Sequence, residues 1–371
     1  MPELYIGLMS GTSLDGVDGV LVDFAPQHPQ VLQHAGLPFP ANLAASFLAL
    51  NASGADELHH AALAANRLAE LYARVVAALL HQAQVPASSV RAIGAHGQTV
   101  RHRPGEFDGV GYTLQLNQPA LLAERCGIDV VADFRSRDVA AGGQGAPLVP
   151  PFHAAFFGLQ RDVGAVLNIG GIANVSILRA GAADTVVGFD CGPGNALMDA
   201  WCLRHTGARF DAGGAWAASG QVQEALLARL MDEPFFRQPP PKSTGRDLFN
   251  APWLHARLAG FESLAPRDVQ ATLAELTARV CAHNLQTYAP GCQSLLVCGG
   301  GALNLHLMRR LQVALPDCAV AASDAHGIPP LQVEACAFAW LARQAMLRQT
   351  ASLKSVTGAR GARILGAIYP A

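Results

Sequence analysis

The chain has 371 residues, of which 51% are hydrophobic and 15% charged, with a formal net charge of −2. That length suits two cores better than one, and the near-neutral balance without a dense basic run argues against nucleic acid or a membrane surface as the main partner. Met1-Pro2-Glu3-Leu4-Tyr5 lacks a basic stretch ahead of its apolar residues, and no apolar run reaches about 18 residues, so a soluble cytoplasmic protein is expected.

In chain order, the segment Gly7-Leu8-Met9-Ser10-Gly11-Thr12-Ser13-Leu14-Asp15-Gly16-Val17-Asp18 reads as an apolar strand, a small polar turn and a returning strand, which is a β-hairpin. Leu68, Leu71, Val75 and Leu79 then recur at helical spacing within 63–80. Val90–Gly94 reads as a strand leading into Ala95-His96-Gly97-Gln98-Thr99, and Ile128–Phe134 as another, followed by a polar stretch from Arg135 to Gly145. A second hairpin is expected at Val166-Leu167-Asn168-Ile169-Gly170-Gly171-Ile172-Ala173-Asn174-Val175, about 160 residues after the first. Thr185–Phe189 predicts a strand that ends at Asp190-Cys191-Gly192-Pro193-Gly194-Asn195, with a helix from Ala196 to Arg204. Val269, Leu273, Leu276 and Val280 predict a long amphipathic helix. Leu295–Cys298 reads as a strand feeding Gly299-Gly300-Gly301-Ala302-Leu303-Asn304 and a helix, and a last helix spans about 332–347.

The chemistry sits in the glycine turns. Glycine lets backbone approach a ligand, and free N–H groups with hydroxyls make an anion cradle. Two cradles suggest two lobes gripping one polyphosphate. Gly299–Gly301, between a strand and a helix, is either a third phosphate element or a tight turn. Only Lys242 and Lys354 are lysines, which removes the Walker lysine and the protein-kinase strand lysine. Lys242-Ser243-Thr244 mimics the end of a Walker loop, but no G-x-x-x-x-G precedes it. The eight cysteines form no C-x-x-C pair and read as reduced, mostly buried thiols; the histidines show no metal spacing.

Taken together, the chain resembles the anhydro-N-acetylmuramic acid kinases, within the sugar kinase, heat-shock ATPase and actin superfamily, over nearly its whole length. The resemblance rests on Gly7–Gly16, Gly94-Ala95-His96-Gly97-Gln98-Thr99, Val131-Ala132-Asp133-Phe134-Arg135 and Asp138–Leu148. It continues through Asn168-Ile169-Gly170-Gly171, Gly188–Asn195, Lys242-Ser243-Thr244-Gly245 and Cys298-Gly299-Gly300-Gly301. It implies an α/β, two-lobed, actin-like (ribonuclease H-like) ATPase fold with a central interdomain cleft. The expected lobes are 1–133 plus about 350–371, and 134–349. It also implies that ATP phosphorylates O6 of 1,6-anhydro-N-acetylmuramic acid while water opens the anhydro bridge at C1, with Mg²⁺ as cofactor and a homodimer as the assembly.

On that resemblance, Asp190 is the catalytic base for the water, and Glu334 is a second carboxylate on the late helix. Asp190 could instead cap the following helix, and Glu334 could simply pair with a helix start. Nucleotide contacts are expected from Gly11, Thr12, Ser13, Leu14, Asp15, Gly16, Val17, Asp18, Asn168, Gly170, Gly171, Gly299, Gly300, Gly301 and Asn304. Asp15, in preference to Asp18, is expected to orient Mg²⁺ through water, although both are also ordinary turn residues. His96, Gln98, Thr99, Arg135 and Asp138 are candidates for the sugar. Arg135 would fork the lactyl carboxylate, with Asp138 either in the site or ion-paired to Arg135 or Arg137. Two other readings stay open: a kinase of the same superfamily acting on another hexosamine, and a nucleotide-gated actin-like or chaperone ATPase. Against the latter, no separate peptide-binding domain follows the nucleotide fold.

Overall fold

The structure is a computed structural model that describes residues 2–11, 14–26, 29–158, 164–178, 186–245 and 248–371. It divides into two compact units, Met1–Phe152 with Gln332–Ala371, and His153–Leu331.

The first unit begins with β1 (Leu4–Met9), β2 (Gly16–Asp23), β3 (Gln30–Pro38), α1 (Ala41–Ala49) and α2 (Glu57–Ala83). It continues with β4 (Val90–Ala95), β5 (Gln98–Pro104), β6 (Gly111–Leu116), α3 (Pro119–Cys126), β7 (Val130–Ala132) and α4 (Ser136–Ala140). The first hairpin is present: β1 and β2 pair antiparallel, with Gly7 opposite Val20 and Met9 opposite Asp18. The expected strand through Phe134 stops at Ala132, because Asp133 turns the chain with φ +56. The division between units falls inside α5 (Pro150–Phe157).

The second unit holds β8 (Ala165–Ile169), β9 (Ile172–Ile177), β10 (Val187–Pro193), α6 (Ala196–Thr206), α7 (Ala215–Ala218), α8 (Glu224–Met231) and α9 (Ala251–Arg257). It ends with α10 (Pro266–Tyr288), β11 (Ser294–Cys298), α11 (Leu305–Ala314) and β12 (Ala319–Ala322). The chain then re-enters the first unit as α12 (Val333–Met346), α13 (Lys354–Thr357) and β13 (Ala367–Tyr369). The two main sheets run β13-β7-β4-β1-β2-β3 and β10-β9-β8-β11-β12. Each has its own core, one built around Ile6, Leu21, Phe47, Tyr72 and Ile93, the other around Ile169, Phe189, Leu226, Leu276 and Val297.

The expected lobe boundaries of 133/134 and 349/350 differ from this division, and two contacts explain why. A Cβ on Gly7 would run into the backbone of Ala335 and Ala339, and one on Gly94 into the carbonyl of Phe338. The two glycines thus admit α12 directly onto β1 and β4, while Val75 and Leu79 of α2 cover Gly19 on β2. Covered on both faces, β1 can be an unbroken apolar run. Residues 138–144 are likewise fastened to the C-terminal segment: Asp138 accepts from Thr357 Oγ1 (2.8 Å) and Gln144 N–H donates to the Thr357 carbonyl (2.8 Å). Helix α10, expected to be amphipathic, is buried nearly all round, Gln270, Thr272, Glu275, Thr277 and Asn284 included, because α6, α7, α8 and α11 pack about it.

Candidate active site

In the first unit a hydrogen-bonded network joins the loop after β1 to the loop after β4. Ser10 Oγ donates to the Gly97 carbonyl (3.1 Å), Gly97 N–H donates to Tyr72 Oη (3.1 Å), and Gln98 Nε2 donates to the Gly11 carbonyl (3.2 Å). Burial pushes the Tyr72 hydroxyl up to about 12, so it stays neutral. His96 is 4% exposed, packs against Phe338 with ring centroids 4.6 Å apart, and accepts from Arg135 through Nε2 (2.9 and 3.2 Å). Burial first, then the Arg135 guanidinium, lower its pKa to about 3. The ring is therefore a neutral imidazole with its proton on Nδ1.

The structure therefore brings Gly11, His96, Gln98 and Arg135 together. Thr99 adjoins them, its Oγ1 accepting from Gln115 Nε2 (3.3 Å). Arg135 does not present a bare fork: its Nε and one terminal nitrogen address His96, and the other donates to the Gly145 carbonyl (2.7 Å). Asp138 is a correction. It is fully buried, and its oxygens accept from Gly145 N–H (2.8 Å) and Thr357 Oγ1 (2.8 Å). It shapes the loop from inside, with neither a sugar-facing position nor an ion pair to Arg135 or Arg137 among the described residues.

Around the first turn, Thr12 and Ser13 lie outside the described residues. Leu14 holds φ +58 and packs, partly buried, on the core, whereas Val17 is buried at 1% exposure, so the Val17 side chain is not open to a nucleotide. Gly16 lies tight against the Leu37 carbonyl of β3. Asp18 faces His34 (Oδ1 to Nε2, 3.2 Å) on the neighbouring strand, whereas Asp15 is exposed in the turn. Glu334 lies in the first turn of α12, partly buried. Arg343, nine residues on, grips Glu3 at the start of β1 with two bonds (3.0 and 3.1 Å). Helix α12 therefore runs against β1, and its N-terminus carries Glu334 towards the carboxyl end of that strand, where Ser10 and Gly11 begin.

In the second unit the ends of β8, β10 and β11 meet. Gly194 N–H donates to the Gly171 carbonyl (2.9 Å), Asn195 N–H to the Gly170 carbonyl (2.8 Å), and Asn195 Nδ2 to the Ile169 carbonyl (3.1 Å). Gly299, at φ +77, lies where any Cβ would strike Ile169 and the Asn168 amide. Asn168, Gly170, Gly171, Gly299, Gly300 and Gly301 are thus one cluster. Asn304 has a structural role: its Oδ1 caps α11, accepting from Leu307 N–H (3.0 Å).

Asp190 is not at the end of its strand as expected. Strand β10 continues to Pro193, with a register break between Asp190 and Gly192. Asp190 lies opposite Asn174 of β9, which lies opposite Asn168 of β8. Directly opposed residues share a face, so the three side chains form one polar row about 10 Å long across three strands. Asn174 escaped the sequence reading. So did Thr277 of α10, whose hydroxyl reaches the carbonyls of Pro193 and Gly194 (both 3.1 Å) and holds the exit turn.

The segment 242–244, a motif of the resemblance with no role assigned to it in the site, lies here as well. Asp190 Oδ2 accepts from Thr244 N–H (2.9 Å), and Asp190 N–H donates to the Lys242 carbonyl (3.2 Å), so this loop pairs along the outer edge of β10. Lys242 is 7% exposed and its Nζ has no hydrogen-bond partner among the described residues; it lies over the rings of Phe235 (5.0 Å) and Phe189 (5.7 Å). Burial lowers its pKa, against the opposing pull of Cys191 and Asp190. The Cys281 thiol and burial hold the Cys191 thiol well above its usual range, which leaves Asp190 as the carboxyl group beside this amine.

The model of the family described as "Anhydro-N-acetylmuramic acid kinase" matches residues 3–371. The chain belongs to the anhydro-N-acetylmuramic acid kinase family. Among relatives of that name, the protein of Variovorax paradoxus is 64% identical over 372 residues, covering 100% of this chain and 99% of its own. That of Albidiferax ferrireducens is 62% identical over 389 residues, covering 100% of both. A solved structure, component A of (R)-2-hydroxyglutaryl-CoA dehydratase from Acidaminococcus fermentans, aligns with a TM-score of 0.50 at 11% identity. It covers 91% of this chain and 96% of that one, a likeness of fold alone. The fold is the two-unit α/β one of the actin-like ATPases, and the family is one of sugar kinases, which are phosphotransferases. Every candidate residue above falls within the matched span. Among the described residues, no helix is long and apolar enough to cross a membrane.

Proposed function

We propose that this kinase transfers the γ-phosphoryl group of ATP to O6 of 1,6-anhydro-N-acetylmuramic acid while water opens the anhydro bridge, in the recycling of cell-wall sugars. Water adds its oxygen to C1, Asp190 takes its proton, and the C1–O6 bond breaks towards O6. That oxygen takes the phosphoryl group, and N-acetylmuramic acid 6-phosphate and ADP leave; the proton on Asp190 passes to solvent. The observation that carries this reading is the row Asn168–Asn174–Asp190, which sets a carboxylate oriented by Thr244 N–H beside the glycine turns.

Gly170, Gly171, Gly300 and Gly301 offer backbone N–H groups to the nucleotide, while the Gly299 N–H is spent on the Pro330 carbonyl (2.9 Å) and shapes the turn. Arg135, oriented by His96, supplies charge for the lactyl carboxylate, while Gln98 and Thr99 address the sugar. Glu334 assists as the second carboxylate. No group of three or more His, Cys, Asp or Glu among the described residues could cage a metal. The exposed Asp15 nonetheless fits Mg²⁺, which is held through one or two carboxylates, water and substrate phosphates. When bound, the ion would offset charge on the phosphates. The working form is a cytoplasmic homodimer.

Turnover in H₂¹⁸O tests the coupled reaction. The label is expected at the C1 hydroxyl after early quenching, with none in the phosphate ester bridge, whose oxygen is the original O6. Labelled free phosphate released in proportion to ring opening would overturn it.

A further inference from the structure

At the β13 edge of the first unit, a concavity of about 680 Å³ is walled by Asp133, Ser136, Arg137, Arg348, Thr350 and Arg363. One solvated surface arginine needs no explanation. Here three come from separate segments, α4, the turn after α12 and the approach to β13, and converge on one hollow. The guanidinium groups of Arg137 and Arg348 make no hydrogen bond or ion pair with any described residue. That of Arg363 reaches only the carbonyl of its neighbour Ala362 (2.9 Å). The single acid in the wall, Asp133, uses Oδ1 to accept from Ser136 N–H (3.3 Å). Two of the wall residues, Asp133 and Arg348, hold left-handed backbone at φ +56, which a non-glycine residue adopts at a cost. Three like charges gathered in one hollow, with no ion-paired carboxylate among the described residues, repel one another until an anion arrives.

We propose that this groove binds a small organic phosphate, a monoester dianion gripped by the three guanidinium groups, with the Ser136 and Thr350 hydroxyls facing its organic part. Planar forks suit phosphate oxygens, and the hollow is within the range of small-molecule sites, roughly 300–1,000 Å³. None of its residues belongs to the candidate active site, so the inference goes beyond the kinase reading and stands or falls separately from it.

Calorimetric titration of the full chain with glucose 6-phosphate, and with glucose as its uncharged control, tests it. The phosphate ester is expected to bind one per chain and glucose not to bind. Arg348→Gly should weaken binding at least about tenfold, a lost charge-assisted contact. It should leave the thermal midpoint unchanged or raised, since glycine takes φ +56 freely. Arg363→Gln, which leaves the backbone alone, should weaken binding too. Binding of glucose as tight as that of its phosphate, no binding by the natural chain up to about 10 mM, or undiminished binding by both variants would each overturn the proposal.

Discussion

The two glycine-rich regions look alike on paper and are built by different physics. In the first unit the polar groups are knitted by side chains, from Ser10, Tyr72 and Gln98 to His96 and Arg135, and the key glycines clear space for a helix. In the second unit the turns pack backbone on backbone, Gly194 against Gly170 and Gly299 against Asn168 and Ile169, and the candidate carboxylate Asp190 is aligned by strand register. The first region is therefore sensitive to what packs behind it. The second is sensitive to what replaces the carboxylate or crowds the amides in front of it.

The largest effect should come from the second region's carboxylate. Asp190→Asn keeps the size and the Thr244 contact but removes the base, so kcat should fall by at least about 10²-fold with the fold intact. Steady-state ADP release together with circular dichroism checks both halves; near-normal turnover would sink the assignment. A paired glycine experiment then tests the contrast itself. Gly94→Ala drives a methyl into the Phe338 carbonyl and should cost about 1–3 kcal/mol or more in urea unfolding, as overpacking does. Gly300→Ala meets only Asn195 Nδ2 at 3.5 Å, so its stability should hardly change while the KM for ATP rises. Equal loss of stability in both variants would erase the distinction drawn between the two regions.

Much of this was legible in the sequence because periodicity and turn chemistry are local. Both hairpins, α2, α10, α12 and the strand before Gly299 follow from spacing and glycine placement. What stayed hidden depends on contacts far apart in the chain. Asp138 reads as a candidate ligand until Thr357, 219 residues later, takes one of its oxygens. Asn304 reads as part of a glycine loop until Leu307 shows it to be a cap, and the S/T/D/N-before-helix cue was there to be used. Asn174 gains meaning only from register, and Lys242 only from the edge of β10 on which it is laid. The unit boundary was misplaced because a glycine's role as a helix seat is invisible without the helix.

Lys242 sharpens the comparison on the second side. A cation beside a carboxylate favours its ionised form, and the neighbouring Cys191 thiol, held well above its usual range, supplies no charge. Removing the amine in Lys242→Met should raise the apparent pKa of the base, so the acidic limb of the kcat profile moves to higher pH, by up to about one unit. The amine has no hydrogen bond to lose and already lies against Phe189 and Phe235, so the fold should tolerate the thioether. An unshifted limb would leave Lys242 as packing only.

The smallest effect belongs to the first region and appears in stability. His96 titrates at about 3 in the folded chain against an ordinary 6.5, as does the buried His153 of the second unit. With the folded pKa depressed, the unfolded chain binds more protons between these values. Stability is then fully present above about 6.5 and is lost as pH falls towards 3, with a slope of at most about 1.4 kcal/mol per pH unit for each ring. His96→Gln should flatten that slope by one group's share, measured by urea unfolding at a series of pH values between 6.5 and 4. Because Arg135 leans on the same ring, Arg135→Gln should relax the depression of His96 only in part, burial being the larger cause. If Arg135→Gln flattened the profile as fully as His96→Gln does, charge rather than burial would govern this histidine, and the first region would owe its neutral imidazole to its cation.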